Sequence, residues 1–234
     1  MSRLRLDIWS DIACPWCYVG KRRLELALEQ FPHRDQVEIQ WHSFELDPAA
    51  PREMDTSLTH AEWLAKKYRM SVGGAQRRID HLTELARVDG LDFRFDRLRP
   101  GNTFDAHRLL HLAKTKGLQD KVMERFMRGY LTDGEPIGRP DALLKLALEI
   151  GLDSDEVKET LEGERFGAEV RSDEQSAAEL GINGVPFFVL AERYAVSGAQ
   201  PPDLLLAALE KAWGELEPTS LDFVDGTVCG PEGC

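Results

Sequence analysis

The first part of the chain joins two short alternating segments by one long amphipathic segment. Residues 4–10 alternate apolar and polar side chains, which predicts a β-strand, and residues 37–44 repeat that pattern. Between them, residues 15–31 carry apolar side chains at helical spacing, with charged residues at the remaining positions. Because two strands joined by so long a crossover pair in parallel, the pattern predicts a strand–helix–strand unit.

The middle of the chain follows the helical period. From about residue 58 to residue 180, apolar positions recur at helical spacing almost without a break. The predicted helices that are best defined span residues 103–116, 119–131, 141–150, 154–161 and 167–180. Within this region, only residues 91–95 are predicted to be extended.

Strand-like segments return near the end of the chain. Residues 185–190 are rich in Val and Phe, and residues 194–196 follow after a short turn, so the spacing predicts an antiparallel hairpin. Asp203 caps a last predicted helix over residues 204–213. Residues 214–234 show no periodicity and contain no Lys or Arg, which predicts an extended acidic tail.

These elements predict an α/β protein in which the two ends of the chain form one mixed sheet. The predicted core consists of residues 1–50 and 181–213, flanked by a helix over about residues 167–180. Residues 51–166 form a large inserted helical domain in this interpretation, and residues 214–234 form the tail.

Composition and charge narrow the possible functions. Of the 234 residues, 42% are hydrophobic and 30% are charged, which is ordinary for a globular protein and excludes a disordered or collagen-like chain. The net charge is −12, and its acidic excess falls in residues 141–234, which argues against binding to nucleic acid or to an anionic membrane surface. No apolar run near Met1 is long enough for a secretory signal, so we expect a cytoplasmic protein with reduced thiols.

The sharpest chemical feature is Cys14-Pro15-Trp16-Cys17, which follows the first predicted strand and begins the first predicted helix. The free N–H groups and partial positive charge of a helix N-terminus favour a thiolate at Cys14. In such a pair, the first thiolate attacks a disulfide and the second cysteine resolves the mixed disulfide. The context therefore predicts redox catalysis, with half of a zinc site or two inert thiols as the alternatives.

Two carboxylates and two histidines are further candidates. Asp7 and Asp11 precede the cysteine pair and are candidates for proton transfer from Cys17, because a buried carboxylate with a raised pKa suits that task. A capping or surface position explains Asp11 equally well. His107 and His111 lie four residues apart, as helical metal ligands can, but no Glu completes a His-Glu-x-x-His motif. We interpret both histidines as core or surface residues and predict no metal site.

Three segments resemble the DsbA-like branch of the thioredoxin superfamily, and most closely its cytoplasmic FrnE-type members. They are residues 11–21 (Asp-Ile-Ala-Cys-Pro-Trp-Cys-Tyr-Val-Gly-Lys), 99–108 (Arg-Pro-Gly-Asn-Thr-Phe-Asp-Ala-His-Arg) and 181–188 (Gly-Ile-Asn-Gly-Val-Pro-Phe-Phe). The resemblance extends over about residues 4–213. It implies a thioredoxin-like fold with a helical insertion, and activity as a thiol–disulfide oxidoreductase or disulfide isomerase.

The resemblance also implies how the site is built. A cis peptide bond between Val185 and Pro186 would face the cysteine pair, and the backbone of Val185 would pair with a bound protein substrate. From the residues themselves, Trp16, Trp9 and Phe187 are candidates to line a peptide groove around the thiols, and Trp9 and Phe187 suit a core equally well. No cofactor is implied, and electrons would be exchanged with glutathione or a thioredoxin-type partner.

A second cysteine pair, Cys229 and Cys234, ends the chain on a tail that contains Gly and Pro. A turn between them would let the two thiols bond to each other, and a flexible tail of this length can reach Cys14. We therefore predict that the tail pair is a redox relay for the active-site pair. Passive thiols, or a zinc site shared by the four cysteines, are the alternatives.

Two other functions stay open at this point. The 2-hydroxychromene-2-carboxylate isomerases and the kappa-type glutathione transferases share the implied fold and use glutathione, but they carry Ser where this chain has Cys14. The second is a zinc-binding protein of the response to redox stress.

Overall fold

The computed structural model describes residues 3–54 and 57–216. Its sheet is built from the strands β1 (Leu4–Ser10), β2 (Val37–Ser43), β3 (Phe187–Leu190) and β4 (Tyr194–Ser197). The strands lie in the order β2–β1–β3–β4, with β1 parallel to β2 and antiparallel to β3, and with β3 antiparallel to β4. The predicted α/β fold, in which both ends of the chain form one mixed sheet, is confirmed.

Helices occupy most of the described chain between β2 and β3. The helices are α1 (Pro15–Gln30), α2 (His60–Lys67), α3 (Val72–Val88), α4 (Phe104–Thr115), α5 (Gln119–Arg128), α6 (Pro140–Glu149), α7 (Ser154–Glu162), α8 (Gly167–Glu179) and α9 (Pro202–Leu216). The helical elements predicted from the sequence are present, with ends that differ by a few residues.

The two faces of the sheet are covered in different ways. Because side chains alternate along a strand, Leu6 and Ile8 of β1 point to one face, into the main apolar core, to which α1 and α9 also contribute. Arg5, Asp7 and Trp9 point to the opposite face, where α8 covers the sheet. This division decides which of the candidate residues lie near α1 and its cysteines.

The region predicted to be an insertion shares its apolar core with the sheet. Leu24 of α1 belongs to one continuous cluster of buried residues with Leu109 of α4 and Phe126 of α5. A buried ammonium also joins the two regions, because Lys21 of α1 forms an ion pair with Glu124 of α5 at 3.0 Å. The insertion is therefore packed against α1.

Three backbone segments cross near the start of the insertion, at Arg52, Gly101 and Gly138. They approach too closely for a Cβ atom at either glycine. The Met54 N–H donates to the Pro100 carbonyl at 3.0 Å, which ties the segment after β2 to the segment before α4. A methyl group on either Gly101 or Gly138 would overlap the backbone carbonyl of Arg52. Only glycine permits this close approach of three backbones.

The structure corrects the expectation for residues 91–95, which do not form a strand. Leu91, Phe93 and Phe95 are buried, as in an alternating strand, but the Arg94 N–H donates to the Leu131 carbonyl at 2.8 Å, and none of the four described strands pairs with the segment. The alternation arises because one side of an irregular segment packs on helices.

Two predicted helix ends also change. The helix predicted to end at residue 131 ends at Arg128 as α5 and continues as a π-helical turn over Gly129–Asp133, which stops at Gly134 with φ of 74°. The last helix continues to Leu216 and not to residue 213, so the first three residues of the predicted tail are helical. Within the described ranges, no helix is both long and apolar enough to cross a membrane.

Candidate functional site

The Cys14–Cys17 pair lies at the N-terminus of α1, as the sequence predicts. Cys14 is the N-cap residue of α1 and Pro15 takes the first helical position, where a missing N–H costs nothing. The Cys14 N–H donates to the Asp11 carbonyl at 3.1 Å, which fixes the turn between β1 and α1. Both thiols are free and buried, but Cys14 lines a cavity that opens to solvent, whereas Cys17 does not.

The surroundings of Cys17 favour its neutral thiol. Burial raises the pKa of Cys17 well above its ordinary value, and a hydrogen bond with Cys14 raises it further. The Asp11 N–H and the Ser10 hydroxyl act in the opposite direction, because they would donate to a Cys17 thiolate. A base must therefore remove the Cys17 proton before this residue can attack a disulfide. The Asp11 N–H and the Ser10 hydroxyl are then in place to donate hydrogen bonds to the resulting thiolate.

The backbone before β3 faces Cys14. The Val185–Pro186 peptide bond is cis, as expected, and the Cys14 thiol lies 3.7 Å from the Val185 carbonyl oxygen, to which it donates. Gly20 of α1 permits this packing, because a Cβ atom there would lie 2.8 Å from Cγ of Pro186. Trp16, with 40% of its surface exposed, stands beside the same cavity.

Asp11 is a buried carboxylate directly before the cysteine pair. Its side chain accepts from the Ala13 N–H at 3.2 Å and from the Leu46 N–H at 2.8 Å. Nε2 of His107, on α4, lies 3.5 Å from Oδ1 of Asp11. The His107 ring is fully buried, and neither ring nitrogen has a hydrogen-bond partner among the described residues. Asp11 and His107 thus form a buried acid–base pair next to the cysteines.

Asp7 lies on the other face of the sheet. Its carboxylate accepts from Nε2 of His42 at 2.7 Å and from Nη2 of Arg5 at 2.8 Å. Burial opposes ionisation of Asp7, but these two hydrogen bonds outweigh it and lower the pKa of Asp7. The structure therefore separates Asp7 from Cys17, although the two residues are close in the sequence.

The hydrogen-bond network of Asp7 continues to α8 and α4. Nδ1 of His42 lies 2.8 Å from Oδ1 of Asp173, and Nε2 of His111 lies 3.1 Å from Oδ2 of Asp173. The Trp9 ring stacks on His42, with its indole N–H donating to the Asp173 carbonyl at 3.1 Å, so Trp9 belongs to this buried layer and not to a peptide groove. No cluster of three or more His, Cys, Asp or Glu suited to a metal occurs in the part of the chain described.

A cavity of about 520 Å³ lies between the cysteine turn and the insertion. Cys14, Trp16 and Val185 form one side of it, and residues of α2, α3 and the π-helical turn form the other. Among the latter are His60, Trp63, Arg78 and Tyr130. Sequence reasoning missed these residues because an amphipathic pattern shows that a helix face is buried, but not what it is buried against.

The structure thus brings together most of the predicted site. Cys14, Cys17, Asp11 and the Val185–Pro186 bond surround the start of α1, with Trp16 at the cavity. Phe187 packs in a small apolar cluster with Trp9 below α8. Cys229 and Cys234 lie outside the described residues.

Comparison with known proteins gives matches over almost the whole chain. The family model of the DSBA-like thioredoxin domain matches residues 5–210. A probable DsbA oxidoreductase from Streptomyces coelicolor, known from a crystal structure, is 46% identical, with a TM-score of 0.86 and coverage of 99% of this chain and 98% of that one.

More distant structures share the fold. The cytosolic disulfide reductase DsbM from Pseudomonas aeruginosa, solved with GSH, is 21% identical, with a TM-score of 0.61 and coverage of 90% of this chain and 99% of that one. A 2-hydroxychromene-2-carboxylate isomerase is 14% identical, with a TM-score of 0.63 and coverage of 91% and 95%. At these identities, the similarity concerns the fold alone.

Proposed function

Because the chain belongs to the family of DsbA-like thioredoxin domains, we propose that it is a cytoplasmic thiol–disulfide oxidoreductase that acts on protein thiols through Cys14 and Cys17. The observation that carries this proposal is the position of the pair at the N-terminus of α1, with the Cys14 thiol 3.7 Å from the Val185 carbonyl oxygen. Placement in the FrnE-type branch, and disulfide isomerase activity, are parts of the same proposal.

The different environments of the two thiols support an order of events. The Cys14 thiolate attacks one sulfur of a substrate disulfide, and the other sulfur leaves as a thiolate. The Cys17 thiolate then attacks Sγ of Cys14 and releases the second substrate thiol, so that two electrons have passed to the substrate. The Cys14–Cys17 disulfide returns to the dithiol by exchange with two thiols.

The backbone of Val185 is suited to orient the substrate. Its carbonyl oxygen lies within reach of the Cys14 thiol, and its N–H has no hydrogen-bond partner among the described residues. An extended peptide that pairs with this N–H would bring its own cysteine to Cys14. Pro186 is buried, so we assign it the role of shaping this edge and not of contacting the substrate directly.

Asp11 is the better candidate for the base that deprotonates Cys17. The proton of the Cys17 thiol would pass to Asp11, with His107 as the neighbouring group that shares the proton. Asp7 is not suited to this task, because its carboxylate is held by His42 and Arg5 on the far face of the sheet.

We assign the exchange of electrons to glutathione or to a thioredoxin-type partner, without a bound cofactor. The cytosolic reductase DsbM, which shares the fold, was solved with GSH, and this supports glutathione as the first partner to test. Protein disulfides remain the proposed substrates.

Two single variants test the function. We expect Cys14→Ser to abolish the reduction of insulin by glutathione, and Cys17→Ser to accumulate a mixed disulfide with substrate that mass spectrometry detects. Full insulin reduction by Cys14→Ser would refute the proposal. Full turnover by Cys17→Ser would assign the resolving step to another thiol.

A glutathione-dependent isomerase or transferase is the second candidate, and the cavity beside Cys14 favours it. An enzyme of this kind uses glutathione as a nucleophile or cofactor and does not require a cysteine pair. Glutathione conjugation that survives in Cys14→Ser, with no insulin reduction by the wild type, would support this alternative. A zinc content of one atom per chain, measured by elemental analysis, would support the zinc-binding alternative.

We propose that Cys229 and Cys234 of the tail act as a redox relay for the active-site pair. Cys229 and Cys234 would form a disulfide that exchanges with Cys14–Cys17, favoured by the high effective concentration of a tethered thiol. A Cys229→Ser/Cys234→Ser double variant should show altered turnover and an altered redox state of the active-site pair in a glutathione buffer. No change in either measurement would make the tail thiols passive.

A further inference from the structure

The cavity beside Cys14 is larger than the docking of a peptide backbone requires. Its volume of about 520 Å³ falls within the range of about 300 to 1,000 Å³ that is typical of sites for small molecules. Cys14 lies in its wall, so a molecule held there would be in reach of the proposed nucleophile. The inference below rests on the proposed function and concerns its substrate.

The far wall of the cavity is aromatic. The His60 ring lies 5.2 Å from the ring of Phe95 and 5.7 Å from that of Trp63, nearly parallel to both. Burial lowers the pKa of His60 to about 4, so this imidazole is neutral at neutral pH and acts as a flat, weakly polar surface. Such a wall favours a planar apolar group, because stacking adds to the gain from burial.

Several polar groups in the wall have no hydrogen-bond or ion-pair partner among the described residues. The Tyr130 hydroxyl belongs to the π-helical turn, and neither it nor the His60 ring takes part in a hydrogen bond there. Arg78 of α3 likewise forms no ion pair within the described ranges. Of the other charged groups that line the cavity, Lys67 is paired with Asp47 at 3.3 Å, and Asp11 is held by backbone N–H groups.

Among the charged side chains of the cavity wall, Arg78 is the one that has neither an ion pair nor a hydrogen bond within the described residues. A hydroxyl and a guanidinium donate hydrogen bonds, so they are suited to a ligand that carries acceptor oxygens. Glutathione has acceptor oxygens but no planar apolar part that would use the wall of His60 and Trp63.

We propose that this cavity binds one half of a low-molecular-weight organic disulfide, namely an aromatic ring that carries a carboxylate. The ring packs against the side chains of His60 and Trp63, and the carboxylate pairs with Arg78. The other half of the disulfide follows the Val185 edge and brings its sulfur to Cys14, so that the sulfur on the ring is the leaving group.

The reaction is a balanced reduction. The Cys14 thiolate attacks the sulfur of the other half, the S–S bond breaks, and the aromatic half leaves as a thiolate whose carboxylate stays paired with Arg78. The Cys17 thiolate attacks Sγ of Cys14 and releases the other half as a thiol. The substrate gains two electrons, and the resulting Cys14–Cys17 disulfide is reduced again by two molecules of a monothiol such as glutathione.

Three disulfides of graded chemistry test the proposal on the full-length protein. Dithiobis(nitrobenzoate) has the aromatic ring and the carboxylate, dithiodipyridine has the ring alone, and hydroxyethyl disulfide has neither. The dithiol form of the protein is mixed with each compound in a stopped-flow instrument, and the oxidation rate of the protein is followed against concentration. We expect the rate to saturate for dithiobis(nitrobenzoate) and to rise linearly for hydroxyethyl disulfide.

Adjacent arginines on α3 provide a matched pair of variants. Arg78 lines the cavity, whereas Arg77, also exposed, does not, so Arg77→Gln removes the same charge without removing the contact. We expect Arg78→Gln to lower the preference for dithiobis(nitrobenzoate) over dithiodipyridine about tenfold, and Arg77→Gln to leave it within twofold. Trp63→Ala should lower the preference for dithiodipyridine over hydroxyethyl disulfide by a similar factor.

The outcomes separate this inference from the proposed function. Linear kinetics with all three compounds, or equal effects of Arg78→Gln and Arg77→Gln, would overturn the cavity assignment while disulfide reduction itself stands. Stronger saturation by a peptide disulfide with a Phe beside its Cys would overturn it in favour of a protein side chain. No reaction with any of the three disulfides would refute the proposed function.

Discussion

At the residue scale, the two cysteines differ most in what surrounds their sulfur atoms. Cys14 borders the cavity and the Val185 carbonyl, whereas Cys17 is enclosed beside Ser10 and the backbone of Asp11. Burial raises the pKa of Cys17, so its deprotonation is the chemical step for which this chain must supply a base.

Asp11→Asn removes that base and keeps one of its two local hydrogen bonds, since the single amide oxygen can still accept from the Leu46 N–H. We expect the release of the second substrate thiol, which depends on Cys17, to slow about 100-fold near neutral pH, a typical loss for a general base. The rate should recover as the pH rises, because hydroxide then removes the thiol proton. The measurement is the decay of a mixed disulfide at Cys14 against pH.

Asp7→Asn is the matched control for this prediction. It removes the other carboxylate near the cysteines in the sequence, but on the far face of the sheet, so the pH profile of this decay should not change. An unchanged profile in Asp11→Asn as well would remove Asp11 from the mechanism.

A second prediction at this scale concerns Gly20. A Cβ atom at Gly20 would lie 2.8 Å from Cγ of Pro186, and neither the helix nor the proline ring has room to move cheaply. We expect Gly20→Ala to lower the free energy of unfolding by roughly 1 to 3 kcal/mol and to slow the reaction with peptide disulfides, because the Val185 edge is displaced.

The control is a helical glycine with open space around it. Apart from the backbone of α9 itself, no atom of the described residues lies within 4 Å of the Cβ position of Gly214, so Gly214→Ala should stabilise the protein by up to about 1 kcal/mol. Urea unfolding of the two variants measures both effects. Equal stability of Gly20→Ala and the wild type would show that α1 and the Pro186 segment adapt to each other.

At the scale of elements, the hairpin of β3 and β4 uses an unusual sequence for its turn. The Arg193 N–H donates to the Leu190 carbonyl at 3.0 Å, and the two residues between them, Ala191 and Glu192, have φ of 50° and 56°. Positive φ at two successive residues is unusual for Ala and Glu and is normally found with Asn and Gly.

Ala191 therefore offers two substitutions with opposite expected effects. Ala191→Asn should raise the free energy of unfolding by about 0.5 to 1 kcal/mol, because Asn adopts the left-handed conformation more readily. Ala191→Val should lower it by 1 kcal/mol or more, on the order of the left-handed penalty for a β-branched residue. Thermal unfolding of the pair measures the difference, and a more stable Val variant would mean that strand propensity outweighs turn geometry here.

The π-helical turn after α5 is an element that the local sequence pattern does not predict. Apolar spacing carried the predicted helix on to residue 131, and Leu131 is indeed buried. The backbone nevertheless widens from Gly129, and the Glu135 N–H donates back to the Gly129 carbonyl at 2.8 Å. Since burial is satisfied by either geometry, the sequence pattern cannot distinguish them.

At the scale of the whole molecule, a buried ionic layer joins the two ends of the chain. His42 of β2 lies between Asp7 of β1 and Asp173 of α8, and His111 of α4 also bonds to Asp173. Burial alone would disfavour every charge here. Hydrogen bonds between the members outweigh it, so that they raise the pKa of His42 and lower those of Asp7 and Asp173.

These shifts predict a stability maximum at mildly acidic pH. The two lowered carboxyl pKa values contribute stability above about pH 3.9, which is lost as the pH falls through the folded values. The raised pKa of His42 contributes stability below about pH 6.5, which is lost as the pH rises through the folded value. Guanidinium unfolding at a series of pH values should therefore give a plateau with a fall on both sides.

His42→Asn provides the comparison. In this variant, stability should no longer decline at alkaline pH. Asp173→Asn should have a free energy of unfolding lower than that of the wild type by roughly 3 kcal/mol, because it leaves the buried imidazolium of His42 with one carboxylate partner fewer. A wild-type stability that is constant from acid to alkaline pH would contradict the assignment of charge to this layer.

The sequence predicts the parts of the fold that local patterns encode. The strands, the long helices and the position of Cys14 at the start of α1 follow from periodicity and motif, and the site at Val185–Pro186 follows from the resemblance to a family. The sequence alone can distinguish Asp7 from Asp11 as the candidate base. Alternation along β1 places the side chain of Asp7 on the face opposite that of Ile8, which is the face away from α1.

Other parts of the site depend on long-range packing. The four-residue spacing of His107 and His111 indicates one side of a helix, but only the docking of α4 between both ends of the chain brings these rings to Asp11 and Asp173. The cavity likewise cannot be predicted from local patterns, because its walls come from regions far apart in the sequence. No single amphipathic pattern contains that information.

The crossing of three backbones at Arg52, Gly101 and Gly138 has a consequence for protein engineering. These segments adjoin α2, α4 and α6, and neither Gly101 nor Gly138 can accept even one additional carbon atom at the crossing. A chimera that takes a new cavity wall from a relative must therefore transplant all three segments together, since a graft of one alone would meet a mismatched backbone.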